Sequence, residues 1–179
     1  RAEAEGSNVD MNYFLGIDST TGKLVADFEE GAGQASPGLN HPVSGNTVIT
    51  SNVWHHAAAT YDSSTGTWIL YLDGAQDGTV TVGANRAPRS DSIQHAGLAT
   101  AMTSNGTTAG FFAGIMDEAR IWNVARTQAD IQSTMSSEVT SGTGLLGRWG
   151  LNEGIGTAVG NSVSGGVSGT ATNGPTWVT

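Results

Sequence analysis

The feature that most constrains this chain is a pair of short apolar runs, 54–61 (WHHAAATY) and 67–72 (TWILYL). They are separated by Asp62-Ser63-Ser64-Thr65-Gly66 and closed by Asp73-Gly74. Both runs are too short for a stable helix and are rich in aromatic, β-branched and aliphatic residues. Five polar residues containing a glycine suit a hairpin loop, and Asp-Gly suits a tight turn that needs positive φ. Successive side chains of a strand point to opposite faces, so His55 and His56 diverge and are poorly placed to grip one ion. The helical pattern that does so, two His four residues apart with a Glu between them, is missing from the sequence. The pair reads as part of a sheet: one His packs inward with a hydrogen-bond partner, and the other faces the opposite surface.

The same rhythm runs along the chain. Residues 11–17 (MNYFLGI) and 23–29 (KLVADFE) read as strands around Asp18-Ser19-Thr20-Thr21-Gly22, and 46–51 and 76–82 as two more. Residues 30–45, dense in Gly, Pro, Ser and Asn, read as a long exposed loop. Residues 83–108 are irregular, and 111–122 (FFAGIMDEARIW) resume the strand pattern. Thr127-Gln128-Ala129-Asp130 has the form of a capping box with Asp in place of Glu, and it opens a helix of two to three turns. Residues 141–179 are Gly-rich, with strand-like stretches at 145–151 and near Trp177. Many short strands between turn signals indicate an all-β sandwich of two antiparallel sheets with one short helix. The domain reading is a sandwich over 1–140 and a C-terminal segment over 141–179 that completes the same or a neighbouring domain.

Charge narrows the partners. Seven Lys plus Arg against 16 Asp plus Glu give a net charge of −9. Nucleic-acid binding needs basic groups to neutralise phosphates, so it is disfavoured, as is adhesion to an anionic membrane. Divalent cations are favoured. No apolar run approaches the ~20 residues that span a bilayer. Cysteine is absent, which removes disulfides, zinc thiolates and thiol nucleophiles. Residue 1 is Arg and no basic-plus-apolar leader follows, so the numbering is expected to start inside a longer or processed product.

Three segments in order, WHHAAATYD…TWILYLDG, FFAGIMDEARIWNVARTQADI and LLGRWGLNEGIGT…GTATNGPTWV, resemble the bacterial laminin-G-like domains. The resemblance covers about residues 45–179. It implies a concanavalin A-like jelly roll, a bound Ca²⁺, and an extracellular or cell-surface role in recognition or structure. The resemblance implies opening strands before MNYFLGI, which this chain is expected to lack, whereas the LLGRWGLNEG segment resembles what precedes those strands. The chain therefore reads as the later part of one jelly roll followed by the opening of another, or as a sandwich closed by its own C-terminal segment.

Asp117 alternates with Ile115, Ala119 and Ile121, a parity that sets it against an apolar face, where a carboxylate needs a partner or a metal. The resemblance implies that Asp117 ligates Ca²⁺ together with an acidic residue of the opening segment, which here matches Glu153. The alternative is a hydrogen-bonded Asp117 and a solvated Glu153. Asp18, Asp27, Asp73 and Asp77 read as turn and rim residues, and Asp62 as a turn acceptor. Asn105-Gly106-Thr107 is the one glycosylation sequon. Trp54, Trp68 and Trp122 sit in strand patterns and read as core, while Tyr13 and His41 are weak sugar-contact candidates.

Catalysis is not expected. The paired carboxylates of retaining glucanases, on alternate positions of one strand, do not occur, since Asp117 and Glu118 are adjacent and diverge. No G-x-S-x-G elbow occurs either. The sequence thus predicts a non-catalytic structural or adhesive unit of a surface protein or fibre, completed by strands from neighbouring copies or adjacent domains. The first alternative is a carbohydrate-binding module of a secreted enzyme, and a glycoside hydrolase is the last.

Overall fold

The structure, a computed structural model, describes residues 11–90, 96–102 and 108–178. Contacts divide the chain into two compact units, Arg1–Ala113 with Thr127–Met135, and Gly114–Arg126 with Ser136–Thr179.

In the first unit β1 (Tyr13–Ile17), β2 (Lys23–Phe28) and β3 (Val43–Val48) form one antiparallel sheet in that order. A second antiparallel sheet holds β4 (Ala57–Asp62), β5 (Thr67–Leu72) and β6 (Ala75–Thr81). Local chemistry places the reversals. Asp18 Oδ1 accepts the amides of Thr20 and Thr21 at 3.0 and 2.7 Å between β1 and β2. Asp62 Oδ1 accepts the Ser64 amide at 2.9 Å in the β4–β5 loop. Asp73 and Gly74 take φ of 52° and 74° between β5 and β6, the left-handed pair that a tight hairpin requires.

The inner faces of the sheets meet in a core of Leu24, Ala26, Phe28 and Val43 from one and Trp68, Leu70 and Leu72 from the other. Phe28 is its centre, with ring centroids 4.7 Å from Tyr61 and 5.4 Å from Trp68. β2 packs across β5, and β3 across β6. At this second crossing the backbones nearly touch. A Cβ on Gly78 would stand 2.4 Å from the Ser44 carbonyl oxygen, so no side chain fits. This alignment leaves β1 and β4 as the edge strands of the same side.

Two short strands, β7 (Ala101–Met102) and β8 (Thr108–Ala109), pair with each other. In the second unit β9 (Ala119–Trp122) pairs with β10 (Leu145–Trp149), and β11 (Ala158–Val159) with β12 (Gly169–Thr170). The helix α1 (Gln128–Thr134) belongs to the first unit and starts at the expected cap. Thr127 accepts the Asp130 amide, and the Asp130 carboxylate accepts the Thr127 amide. Gln128 and Gln132 then donate to the Gly74 carbonyl, each at 2.9 Å.

The all-β sandwich with one helix is therefore present, with corrections in detail. β3 lies earlier than residues 46–51, and β4 begins at Ala57 rather than at Trp54. The run 111–122 is a strand only from Ala119, because Glu118 sits at φ 53° and ends the extended geometry. Trp177 lies outside every strand, its indole N–H donating to the Gly156 carbonyl at 2.8 Å.

Candidate functional site

The loop between β3 and β4 carries the arrangement of most functional interest. It is pinned at its start by the Ile49 amide on the Gly22 carbonyl at 2.9 Å. At its end the His56 amide donates to Asp73 Oδ1 at 2.9 Å, and the Asp73 amide to the His56 carbonyl at 2.8 Å. His55 closes the loop on itself, with Nδ1 2.8 Å from Asp73 Oδ2 and Nε2 3.1 Å from the Thr50 carbonyl oxygen. The Asp73 hydrogen bond, opposed by partial burial, raises the His55 pKa. Burial of Asp73 acts to raise its own, but His55 and the His56 amide hold it below the usual carboxylate range. Inside this closed loop stand Asn52, Val53 and Trp54, all exposed.

Trp54 is 64% exposed. Trp68 is core, and Trp122, Trp149 and Trp177 are half-buried, so Trp54 alone of the five is open to solvent. It is not the core residue that its strand-like surroundings indicated. The two histidines precede the strand, and side-chain alternation does not govern them. His55 turns to Asp73 and Thr50.

A second polar cluster is structural. Glu30 is fully buried, its Oε1 meeting His41 Nε2 at 2.6 Å and the Arg86 guanidinium, its Oε2 accepting the Ser36 amide at 2.8 Å. Burial acts to raise the Glu30 pKa, yet His41, the Ser36 amide and Arg86 together hold it below the ordinary carboxylate value. Arg89 binds buried Glu29 at 2.8 Å, and Asp27 Oδ1 accepts the His41 amide at 2.7 Å. These contacts tie the 31–42 and 83–90 loops to the end of β2. Residues 30–45 are thus not a simple exposed loop, and Asp27 is buried rather than on the rim. Asp77 is buried too, where Oδ1 accepts the Thr47 amide at 3.0 Å. His41 is buried, and so is no sugar contact.

The acids singled out for calcium lie in the second unit. Asp117 is exposed, outside β9. Its neighbour Glu118 takes the inward position, pairing with Arg120 at 2.8 Å and with Arg148. Glu153 Oε1 accepts the Gly160 amide at 2.7 Å, while its Oε2 is buried with no hydrogen-bond partner. Glu153 lines a cleft of about 310 Å³ with Arg148, Asn152, Asn161 and Ser162. Calcium takes six to eight oxygen ligands, and Glu153 Oε2 is an oxygen of that kind. The buried guanidinium of Arg148 shares the cleft, however, and Asp117 is among the acids whose charge raises the Arg148 pKa, after Glu118 and Glu138. Asp117 does not line that cleft, and the Arg148 guanidinium in it is already paired with Glu118 and Glu138, so the two acids are not gathered there as a ligand set. Among the described residues no three His, Asp or Glu side chains gather as a metal-binding group. Asn105 lies outside the described residues. Among the described residues no helix is long and apolar enough to cross a membrane.

The Laminin_G_3 family, described as the concanavalin A-like lectin/glucanases superfamily, matches residues 2–132. No curated protein matches the sequence. A Bacteroides ovatus ATCC 8483 protein to which carbohydrate binding has been ascribed, solved at 1.50 Å, aligns with a TM-score of 0.59 at 21% identity. The alignment covers 88% of this chain and 44% of that one, so this chain spans less than half of its length. At that identity the likeness shows the fold. An S-layer domain-containing protein of Clostridium thermocellum ATCC 27405 aligns with a TM-score of 0.39 at 16% identity, over 69% of this chain and 61% of that one.

Proposed function

The chain belongs to the concanavalin A-like lectin/glucanases superfamily, and we propose that it serves there as a non-catalytic, extracellular or cell-surface module that binds carbohydrate at the 49–56 loop. One observation carries the reading: Trp54 is 64% exposed on a loop closed by its own hydrogen bonds. Held rigidly, it is a preorganised platform whose stacking on a pyranose face loses little conformational entropy. Asn52, exposed two residues before it in the same loop, offers a donor and an acceptor to sugar hydroxyls. Recognition rather than hydrolysis is supported by the acids. Glu29, Glu30 and Glu118 are each bound to arginine, which suits structural carboxylates and not a nucleophile and acid about 5–5.5 Å apart across a cleft. The test is affinity electrophoresis through gels containing β-glucan, xylan, galactan or mannan. Retardation by one polymer, lost in Trp54→Ala while its thermal midpoint is kept, supports the reading; equal retardation of both proteins contradicts it.

A second reading, a structural or adhesive unit completed by a strand from a neighbouring copy or adjacent domain, rests on β1. Tyr13, Leu15 and Ile17 pair with Phe28, Ala26 and Leu24 and so share their core-facing side. Yet they are 54%, 42% and 43% exposed, while those partners are buried. Among the described residues of the first unit nothing covers this edge, and open edges accept added strands. Sedimentation across a concentration series tests it: association that Leu15→Glu abolishes is expected, and a monomer at every concentration counts against it.

A further inference from the structure

Both ring nitrogens of His55 face groups that only accept hydrogen bonds, a carboxylate oxygen of Asp73 at 2.8 Å and the Thr50 carbonyl oxygen at 3.1 Å. A neutral imidazole carries one N–H and can satisfy one of them; the imidazolium carries two and satisfies both. We infer that His55 is a protonation-dependent positioning residue, whose imidazolium form clamps the 50–55 loop shut and holds Trp54 in its binding orientation. The inference rests on the reading of Trp54 as the carbohydrate platform and adds the regulation of that site.

The clamp has few competitors. The β5–β6 turn presents Asp73, which also fixes the following residue through the His56 amide. The His56 ring, adjacent in sequence, is a second titratable group whose charge is felt at Asp73. The helix packed on this turn presents Gln128 and Gln132, both neutral and both bound to the Gly74 carbonyl. On the β1–β2 side, Asp18 is taken up by the Thr20 and Thr21 amides, and Lys23 follows at the start of β2. The carboxylate that faces His55 is therefore Asp73, and its pull raises the pH at which the second proton is lost.

Below that pH the Thr50 carbonyl is tied to the ring and residues 51–54 form the closed part of a hydrogen-bonded loop. Above it one bond must go. Because the carboxylate is the stronger acceptor, Nδ1–H stays on Asp73, and the Thr50 carbonyl faces a bare Nε2 lone pair. That contact is repulsive, and the Trp54 loop opens on the Thr50 side. Sugar affinity on Trp54 then falls as pH rises through the His55 titration.

The test needs no ligand. Imidazole ¹⁵N shifts of the full chain report the His55 protons, and 5-fluorotryptophan ¹⁹F NMR, assigned with Trp54→Phe, reports the loop. The expected result is a doubly protonated His55 at about pH 5.5, a midpoint above the ordinary value of about 6.5, and a Trp54 signal that moves with that same midpoint. His55→Gln should fix the Trp54 signal near its high-pH position. His55→Arg, with permanent donors, should fix it near its low-pH position, which separates the clamp from mere destabilisation. A singly protonated His55 at about pH 5.5, or a Trp54 signal that titrates alike in His55→Gln and the parent, overturns the inference. Failure to find a glycan changes none of these signals and counts against the carbohydrate reading alone.

Discussion

Replacing Phe28 tests whether the two sheets meet as described. Its ring is fully buried and lies within 4.8 Å of His41, 4.7 Å of Tyr61 and 5.4 Å of Trp68, centroid to centroid. Each aromatic contact contributes roughly 0.5–1.5 kcal/mol beyond area burial. Phe28→Leu removes all three ring contacts, about 1.5–4.5 kcal/mol together, but the leucine fills most of the volume and remakes part of the packing, so a net loss of about 1.5–3 kcal/mol is expected. Phe28→Ala adds the cavity and should cost about 4 kcal/mol. That is a large part of a stability of about 5–15 kcal/mol. The assay is urea unfolding followed by far-ultraviolet circular dichroism. With a slope of about 2–3 kcal/mol per molar urea for a chain of this size, Phe28→Leu should lower the midpoint by about 0.5–1.5 M. A double-mutant cycle with Trp68→Leu should show coupling of about 0.5–1.5 kcal/mol. A midpoint change below about 0.2 M, or additive effects in the cycle, would refute the inference that these rings join the sheets.

Two further outcomes follow from the charged groups. The Glu30 carboxyl is held below its usual range, so the stability it contributes is present above its unfolded pKa and is lost as pH falls through the folded value. Glu30→Gln should cost about 2–4 kcal/mol at neutral pH and flatten the acid limb of a stability–pH curve, and an unchanged acid limb would show that Glu30 does not carry it. For the second unit, excess chelator should leave the thermal midpoint unmoved, because Asp117 does not line the cleft of Glu153. A midpoint that falls in chelator and returns with Ca²⁺ alone would show that the two acids gather as a ligand set.

What was legible in the sequence was what local periodicity and turn chemistry encode. β5 occupies the run 67–72, the Asp73-Gly74 turn has its left-handed pair, and Thr127 with Asp130 caps the helix. The candidate site was less legible for a physical reason. Trp54 looks like the first residue of an apolar strand, but the chain is captured before Ala57 by Asp73, which lies 17 residues beyond His56 and leaves no local pattern. The cluster around Glu30 joins residues 11 and 56 positions apart, so nothing near Glu30 shows that a buried carboxylate will find His41 and Arg86. Asp117 was misplaced by a parity argument that holds only while backbone stays extended, and Glu118 at φ 53° breaks it.

Carbohydrate recognition at Trp54 is tested most directly by glycan-array binding of the intact chain alongside Trp54→Ala and Trp68→Phe. Selective binding to one class of glycan is expected of the parent and of Trp68→Phe. Trp54→Ala should lose at least tenfold in affinity, about 1.4 kcal/mol or more, with the thermal midpoint held because the side chain is exposed. Glycan binding that survives Trp54→Ala unchanged would contradict it, as would an intact, folded chain that binds no glycan on the array.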